Sequence, residues 1–133
     1  TKSDENPNAY ISVLDEPDVI MKKIKRAVTD SDREIRYSEE KAGIRNLLDI
    51  YSVMTGIDVT KAVANFEGKG YGDLKKAVGE AVVEGLRPLQ TKYKELSKDK
   101  AYINEIIKTN AEKASYLANK TLRKVKKKVG FPQ

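Results

Sequence analysis

Leu74, Ala77, Val78, Ala81, Val82, Leu86, Leu89, Tyr93 and Leu96 recur in phase with a 3.6-residue period. That period gathers them on one side of a helix, and the two-residue alternation of a half-buried strand cannot produce it. The stripe predicts a long helix from about Asp73 that must be covered by other helices. Pro88 is the expected point of a kink, because proline lacks the N–H donor and clashes with the carbonyl four residues back.

Shorter helices surround this one in sequence. Asp15 can cap a first helix, with Pro17 tolerated in its first turn. Ile20, Ile24, Ala27 and Val28 then share a face while Lys22, Lys25 and Arg26 point elsewhere. Residues 29–42 are polar and read as a long connection, with Ile35-Arg36-Tyr37 as a short extended piece. Ile44, Leu47, Leu48, Tyr51 and Met54 predict a second helix that ends at Gly56, a suitable C-cap. A third helix, about Asp58 to Phe66, would bury Val59, Val63 and Phe66 and stop at Gly68. A fifth carries Ile103, Ile106, Ile107, Ala114, Leu117, Ala118, Leu122 and Val125 as its stripe. The expected fold class is all-α, with about five helices.

Composition narrows the chemistry. The chain has no cysteine and no histidine, which excludes disulfides, structural zinc on those ligands and His- or Cys-based catalysis within it. No apolar run approaches the roughly 18 residues a spanning helix needs, and the polar N-terminus has no signal-peptide core, so a cytoplasmic location is expected. The net charge of +6 favours polyanionic partners, because lysine and arginine near phosphates gain Coulomb attraction and release counterions.

Several clusters could use that charge. Thr1-Lys2-Ser3 sets an ammonium between two hydroxyls, a combination able to hold phosphate oxygens but common in solvated termini. Glu67-Gly68-Lys69-Gly70-Tyr71-Gly72-Asp73 reads either as a C-cap and turn or as a close-approach loop for an anion, with Tyr71 available to stack on an RNA base. It is not a P-loop, since no Ser or Thr follows Lys69. Lys22, Lys23, Lys25 and Arg26 make a basic helix face, and Lys120, Arg123, Lys124, Lys126, Lys127 and Lys128 a basic C-terminal stretch. Each reads equally as solvated surface. The carboxylates show no acid/base pairing.

Seven strings together resemble the bacterial tryptophanyl-tRNA synthetase family, a group of class I aminoacyl-tRNA synthetases. They are Thr-Lys-Ser-Asp-Glu-Asn-Pro (1–7), Ala-Val-Thr-Asp-Ser (27–31), Ile-Arg-Tyr (35–37), Gly-Ile-Arg-Asn-Leu-Leu (43–48), Glu-Gly-Lys-Gly-Tyr-Gly (67–72), Leu-Arg-Pro-Leu-Gln (86–90) and Ala-Glu-Lys-Ala (111–114). Their shared order along nearly the whole chain is specific. The family's Lys-Met-Ser-Lys-Ser loop would place its last three residues on Thr1, Lys2 and Ser3, with threonine where serine is usual. The resemblance implies that these three bind ATP, used with Mg²⁺ by the full-length enzyme, and that Lys2 is catalytic, neutralising the departing pyrophosphate as tryptophan is adenylated.

The resemblance also implies an organisation. Residues 1–14 would be the end of the ATP loop and a linker, 15–99 a helical anticodon-binding domain, and 100–133 a C-terminal helix with a basic tail. That last helix would pack on a Rossmann catalytic domain lying upstream of Thr1, so the chain reads as a fragment that is inactive alone and holds no tight cofactor. The partners implied are the tRNA for tryptophan, with Lys22, Lys25, Arg26 and Tyr71 as candidate contacts, and tryptophan and ATP through the other domain. The full-length enzyme would be a homodimer and the fragment a monomer. A helical module of the sibling tyrosyl enzyme, or a helical interaction module with no RNA role, are the alternatives. The Glu67–Gly72 string favours tryptophan.

Overall fold

The computed structural model describes residues 3–130. Five α-helices follow in order: α1 (Pro17–Arg26), α2 (Ala42–Thr55), α3 (Val59–Asn65), α4 (Tyr71–Lys98) and α5 (Lys100–Val129). A single 3-10 turn, Glu39–Lys41, leads into α2. No strand occurs among the described residues, and the fold class is all-α as expected. The chain divides into two compact units, Thr1–Gln90 and Thr91–Gln133.

The core lies in the first unit. Ile20 and Ile24 from α1, Ile44, Leu47 and Leu48 from α2, Ala62 from α3 and Phe66 at its C-cap, and Leu74, Val78 and Val82 from α4 form one buried cluster. The apolar periodicities thus converge on a common interior. Removing such side chains from water is the main favourable term in folding. Phe66 meets Tyr51 edge to face, with ring centroids 5.2 Å apart. Gly79 lets α4 approach α1 closely, since a Cβ there would stand 2.5 Å from the Met21 sulfur.

Helix ends follow local chemistry at most places. Gly56 takes a left-handed φ of 72° and its N–H returns to the Ser52 carbonyl, closing α2 as the glycine predicts. The Asp58 carboxylate caps α3 at Thr60 N, and Asp99 caps α5 at Tyr102 N. α4 starts at Tyr71 rather than Asp73, because the Asp73 carboxylate reaches back to Gly70 N–H, as in one half of a capping box. Pro88 lies inside α4, which continues to Lys98.

α1 departs from expectation at both ends. Its N-cap is Glu16 without a side-chain bond, while Asp15 accepts from Ser12 N–H and from Lys23. The helix stops at Arg26, which leaves Val28 88% exposed instead of on the core face. The stop has a tertiary cause. The Lys75 ammonium donates to the Ala27 carbonyl at 2.8 Å and the Lys25 carbonyl at 3.4 Å, placing a cation at the negative end of α1. The backbone at Val28–Thr29 then runs directly over Gly43.

Residues 27–38 form the long connection. Ile35-Arg36-Tyr37 joins no sheet; Ile35 packs against the core, and the Tyr37 hydroxyl donates to Asp49 at 2.9 Å. In the second unit α5 has no buried residue. Ile107 and Leu117 are 61% and 62% exposed. No described helix is long and apolar enough to cross a membrane.

Candidate nucleic-acid interface

α1 separates its apolar and basic residues as its period dictates. Ile20 and Ile24 are buried, and Lys22, Lys25 and Arg26 are exposed. Lys22 and Arg26 stand one turn apart on the same side, with Lys25 beside them. Lys23, the fourth cation of this helix, serves the fold instead. Its ammonium donates to Asp15 at 2.6 Å and lies 5.3 Å from the centre of the Tyr10 ring. The bond from Lys23, aided by Ser12 N–H, holds the Asp15 carboxyl below its usual range against the opposing effect of burial.

A second polar centre escaped the sequence reading. Lys41 is only 3% exposed, and its ammonium donates to Asp30 at 3.1 Å, Asp32 at 2.7 Å and the Tyr71 hydroxyl at 3.0 Å. The Tyr71 hydroxyl in turn donates to Asp30 at 2.6 Å, with the Glu34 carbonyl 3.1 Å away as a second acceptor. Asp30 is pulled down to about 2, first by the Tyr71 hydroxyl and then by the Asp32 N–H and Lys41. Burial alone would lower the Lys41 ammonium, but the bonds to Asp32, Tyr71 and Asp30 prevail and raise it. For Tyr71, burial and the neighbouring Asp30 carboxylate push the hydroxyl above its ordinary value. The charges compensate one another, as a buried ammonium requires. Lys41 was findable: it precedes Ile44 by three residues and Leu48 by seven, which puts it on the apolar stripe of α2.

Tyr71 is therefore not a free platform for a base. It is half-buried, its hydroxyl fastens the connection at Asp30 and Glu34, and the Lys41 ammonium lies 5.7 Å from its ring centre. The Glu67–Asp73 loop takes its plainer reading too. Gly68 has the left-handed φ of 75° that lets the chain turn after α3, and the carboxylate of Asp73 occupies the start of α4.

Thr1 and Lys2 lie outside the described residues. Ser3 is exposed in a turn at the start of the loop. One exposed hydroxyl does not make a nucleotide site. Gln90, in the string at 86–90, steadies the loop farther on, its amide donating to the Val13 carbonyl at 2.8 Å and the Asp15 carbonyl at 2.9 Å. Lys120, Arg123, Lys124, Lys126, Lys127 and Lys128 all fall on α5, where the last three complement the helix C-terminus. Among the described residues no cluster of His, Cys, Asp or Glu could hold a metal ion.

An all-α chain with one basic helix face over a shared core is an arrangement many proteins could adopt; comparison with known proteins resolves which. Residues 1–87 match the tRNA synthetases class I (W and Y), and the chain belongs to that family. It is 46% identical to the tryptophan–tRNA ligase of Clostridium acetobutylicum over 98% of its own length and 39% of that protein's. Against the tryptophan–tRNA ligase of Enterococcus faecalis the identity is 51%, over 98% of this chain and 39% of the relative. Its fold is similar to tryptophanyl-tRNA synthetase from Mycoplasma pneumoniae, with a TM-score of 0.68, 28% identity, 99% of this chain covered and 40% of that one. The chain thus spans about 40% of the length of the relatives it matches, over their C-terminal region.

Proposed function

We propose that this chain is the tRNA anticodon-binding part of a tryptophan–tRNA ligase, which activates tryptophan with ATP and Mg²⁺ and transfers it to its tRNA in the cytoplasm. The matched relatives carry that name, and the class I family includes both the tryptophan and tyrosine enzymes, so the relatives favour tryptophan. On this reading residues 15–99 bind the anticodon arm, and 100–133 pack on a catalytic domain that the chain does not contain. The ligase works as a homodimer, and the chain by itself is monomeric. Lys2 neutralises the departing pyrophosphate, with Thr1 and Ser3 as neighbouring phosphate donors.

The observation that carries the RNA-binding reading is the face of α1. Lys22, Lys25 and Arg26 are exposed on a helix whose opposite side is fixed in the core by Ile20 and Ile24. A rigid row of cations follows phosphates and adds affinity without reading sequence. Replacing Lys22 and Arg26 with alanine should weaken binding to cognate and non-cognate tRNA alike. The dependence of log affinity on log salt should become shallower by about 0.7–0.9 for each phosphate that the variant no longer neutralises. Unchanged affinity and slope in a folded double variant would remove α1 from the tRNA surface.

A further inference from the structure

The segment from Asp4 to Asp15 has no regular structure, yet it is bonded throughout. Its first half is folded into turns: the Asp4 carboxylate accepts from Asn6 N–H at 2.9 Å, the Asn6 side chain from Asn8 N–H at 3.0 Å, and the Asn6 carbonyl from Ala9 N–H at 3.0 Å. Its second half is gripped by two helices. From α1, Lys23 reaches Asp15 at 2.6 Å and stands 5.3 Å from the centre of the Tyr10 ring, with its own side chain only 10% exposed. From α4, the Gln90 amide donates to the Val13 carbonyl at 2.8 Å and to the Asp15 carbonyl at 2.9 Å. Ile11 packs against the core between these holds. Freezing two long polar side chains costs about 1.5–2 kcal/mol of rotamer entropy each. Neither helix needs the grip to stay in place, since Ile20, Ile24, Leu74, Val78 and Val82 bury their inner faces.

From this double grip we infer that Lys23 and Gln90 are positioning residues for adenylate formation. They fix where the chain leaves the helical unit toward Lys2, and so set where the Lys2 ammonium meets the departing pyrophosphate. The inference rests on the proposed role of Lys2 and adds the groups that aim it. Lys2 precedes Tyr10 by eight residues, a tether of at most about 28 Å when fully extended. A tether so short passes on a displacement at its root. Stabilising charge that develops in a transition state depends on donors held in place beforehand, and an error of about 1 Å can cost about a hundredfold in rate.

The test uses the full-length ligase that contains this chain and follows ATP–pyrophosphate exchange without tRNA, so the outer cations of α1 take no part. Lys23→Met and Gln90→Met keep the side-chain length and remove the polar group. Each should lower kcat by about tenfold and leave the KM for tryptophan unchanged, the pattern of an interaction made in the transition state. Lys23→Arg, which can still pair with Asp15, should restore most of the rate. The decisive measurement is a double-mutant cycle. In a Lys2→Ala background, neither methionine variant should slow exchange further, because the group they aim is gone. A full additional loss there would mean that the grip acts on the fold in general, and would overturn the inference. Normal kcat in both folded single variants would also overturn it while leaving the role of Lys2 intact. If Lys2→Ala itself leaves kcat unchanged, the reading of Lys2 fails and this inference fails with it.

Discussion

Gly43→Ala isolates the tightest passage in the first unit. A Cβ at Gly43 would overlap the Val28 carbonyl oxygen and would lie 3.3 Å from the Val28 carbonyl carbon and 3.4 Å from Thr29 Cα. All three are backbone atoms, so no side chain can rotate aside. Ordinary van der Waals distance would need the two segments to part by about an ångström. That movement would work against the Lys75 bond to the Ala27 carbonyl and the Asp30–Lys41 pair, which flank this segment on either side. Overpacking of this kind costs about 1–3 kcal/mol, toward the upper end where backbone must move. The gain in helix propensity from glycine to alanine offsets up to about 1 kcal/mol. A net loss of about 1–2 kcal/mol remains, equivalent to roughly 4–8 °C in Tm per kcal/mol for a domain of this size. Gly72 provides a matched control. It too is the second residue of its helix, and a Cβ there meets nothing within 4 Å. Urea unfolding followed by circular dichroism should find Gly43→Ala destabilised and Gly72→Ala neutral or slightly stabilised. Equal midpoints for the two variants would refute the close-passage argument, since propensity is common to both.

Three further outcomes follow from the buried cluster and from α5. Tyr71→Phe removes a hydroxyl held by Asp30, Glu34 and Lys41, so stability should drop by about 1 kcal/mol or more, read from chemical denaturation; an unchanged midpoint would mean the hydroxyl is not a fastening. The folded Asp30 titrates at about 2, below the ordinary 3.8, so the unfolded chain binds the more protons between those values. Its stabilisation is complete above about pH 5, declines as pH falls through 3.8 toward 2, and should decline less in Tyr71→Phe; a midpoint flat across that window would contradict the linkage. No residue of α5 is buried, whereas α2 buries Ile44, Leu47 and Leu48. Amide hydrogen exchange in the isolated chain should be much faster along α5 than in the middle of α2, and equal protection would count against that contrast.

How much of this was legible depended on the distance over which each feature is decided. α2 could be read because its stripe and its Gly56 stop are local, and α5 because its period runs uninterrupted over many turns. α1 ended two residues early because its stop is imposed by Lys75, 48 residues farther on, and by the passage over Gly43. The start of α4 moved to Tyr71 through a single backward bond from Asp73. Of the candidate contacts, Lys22, Lys25 and Arg26 emerged exposed as their phase required, but Tyr71 could not be placed from its loop alone. Its partners Asp30 and Lys41 lie 41 and 30 residues away. The same separation hid the Lys41 cluster, although the phase of Lys41 with Ile44 and Leu48 was visible.

The pairing of Lys23 with Asp15 bears on how such a surface changes by mutation. Asp15 keeps one ammonium of α1 turned inward beside three that face solvent. A cation can thus be recruited to the exposed row without any new lysine or arginine: loss of the acid, as in Asp15→Asn, releases one already encoded. The shortest mutational route to a stronger polyanion surface here runs through the deletion of a negative charge, at the expense of the loop that Asp15 anchors at Ser12.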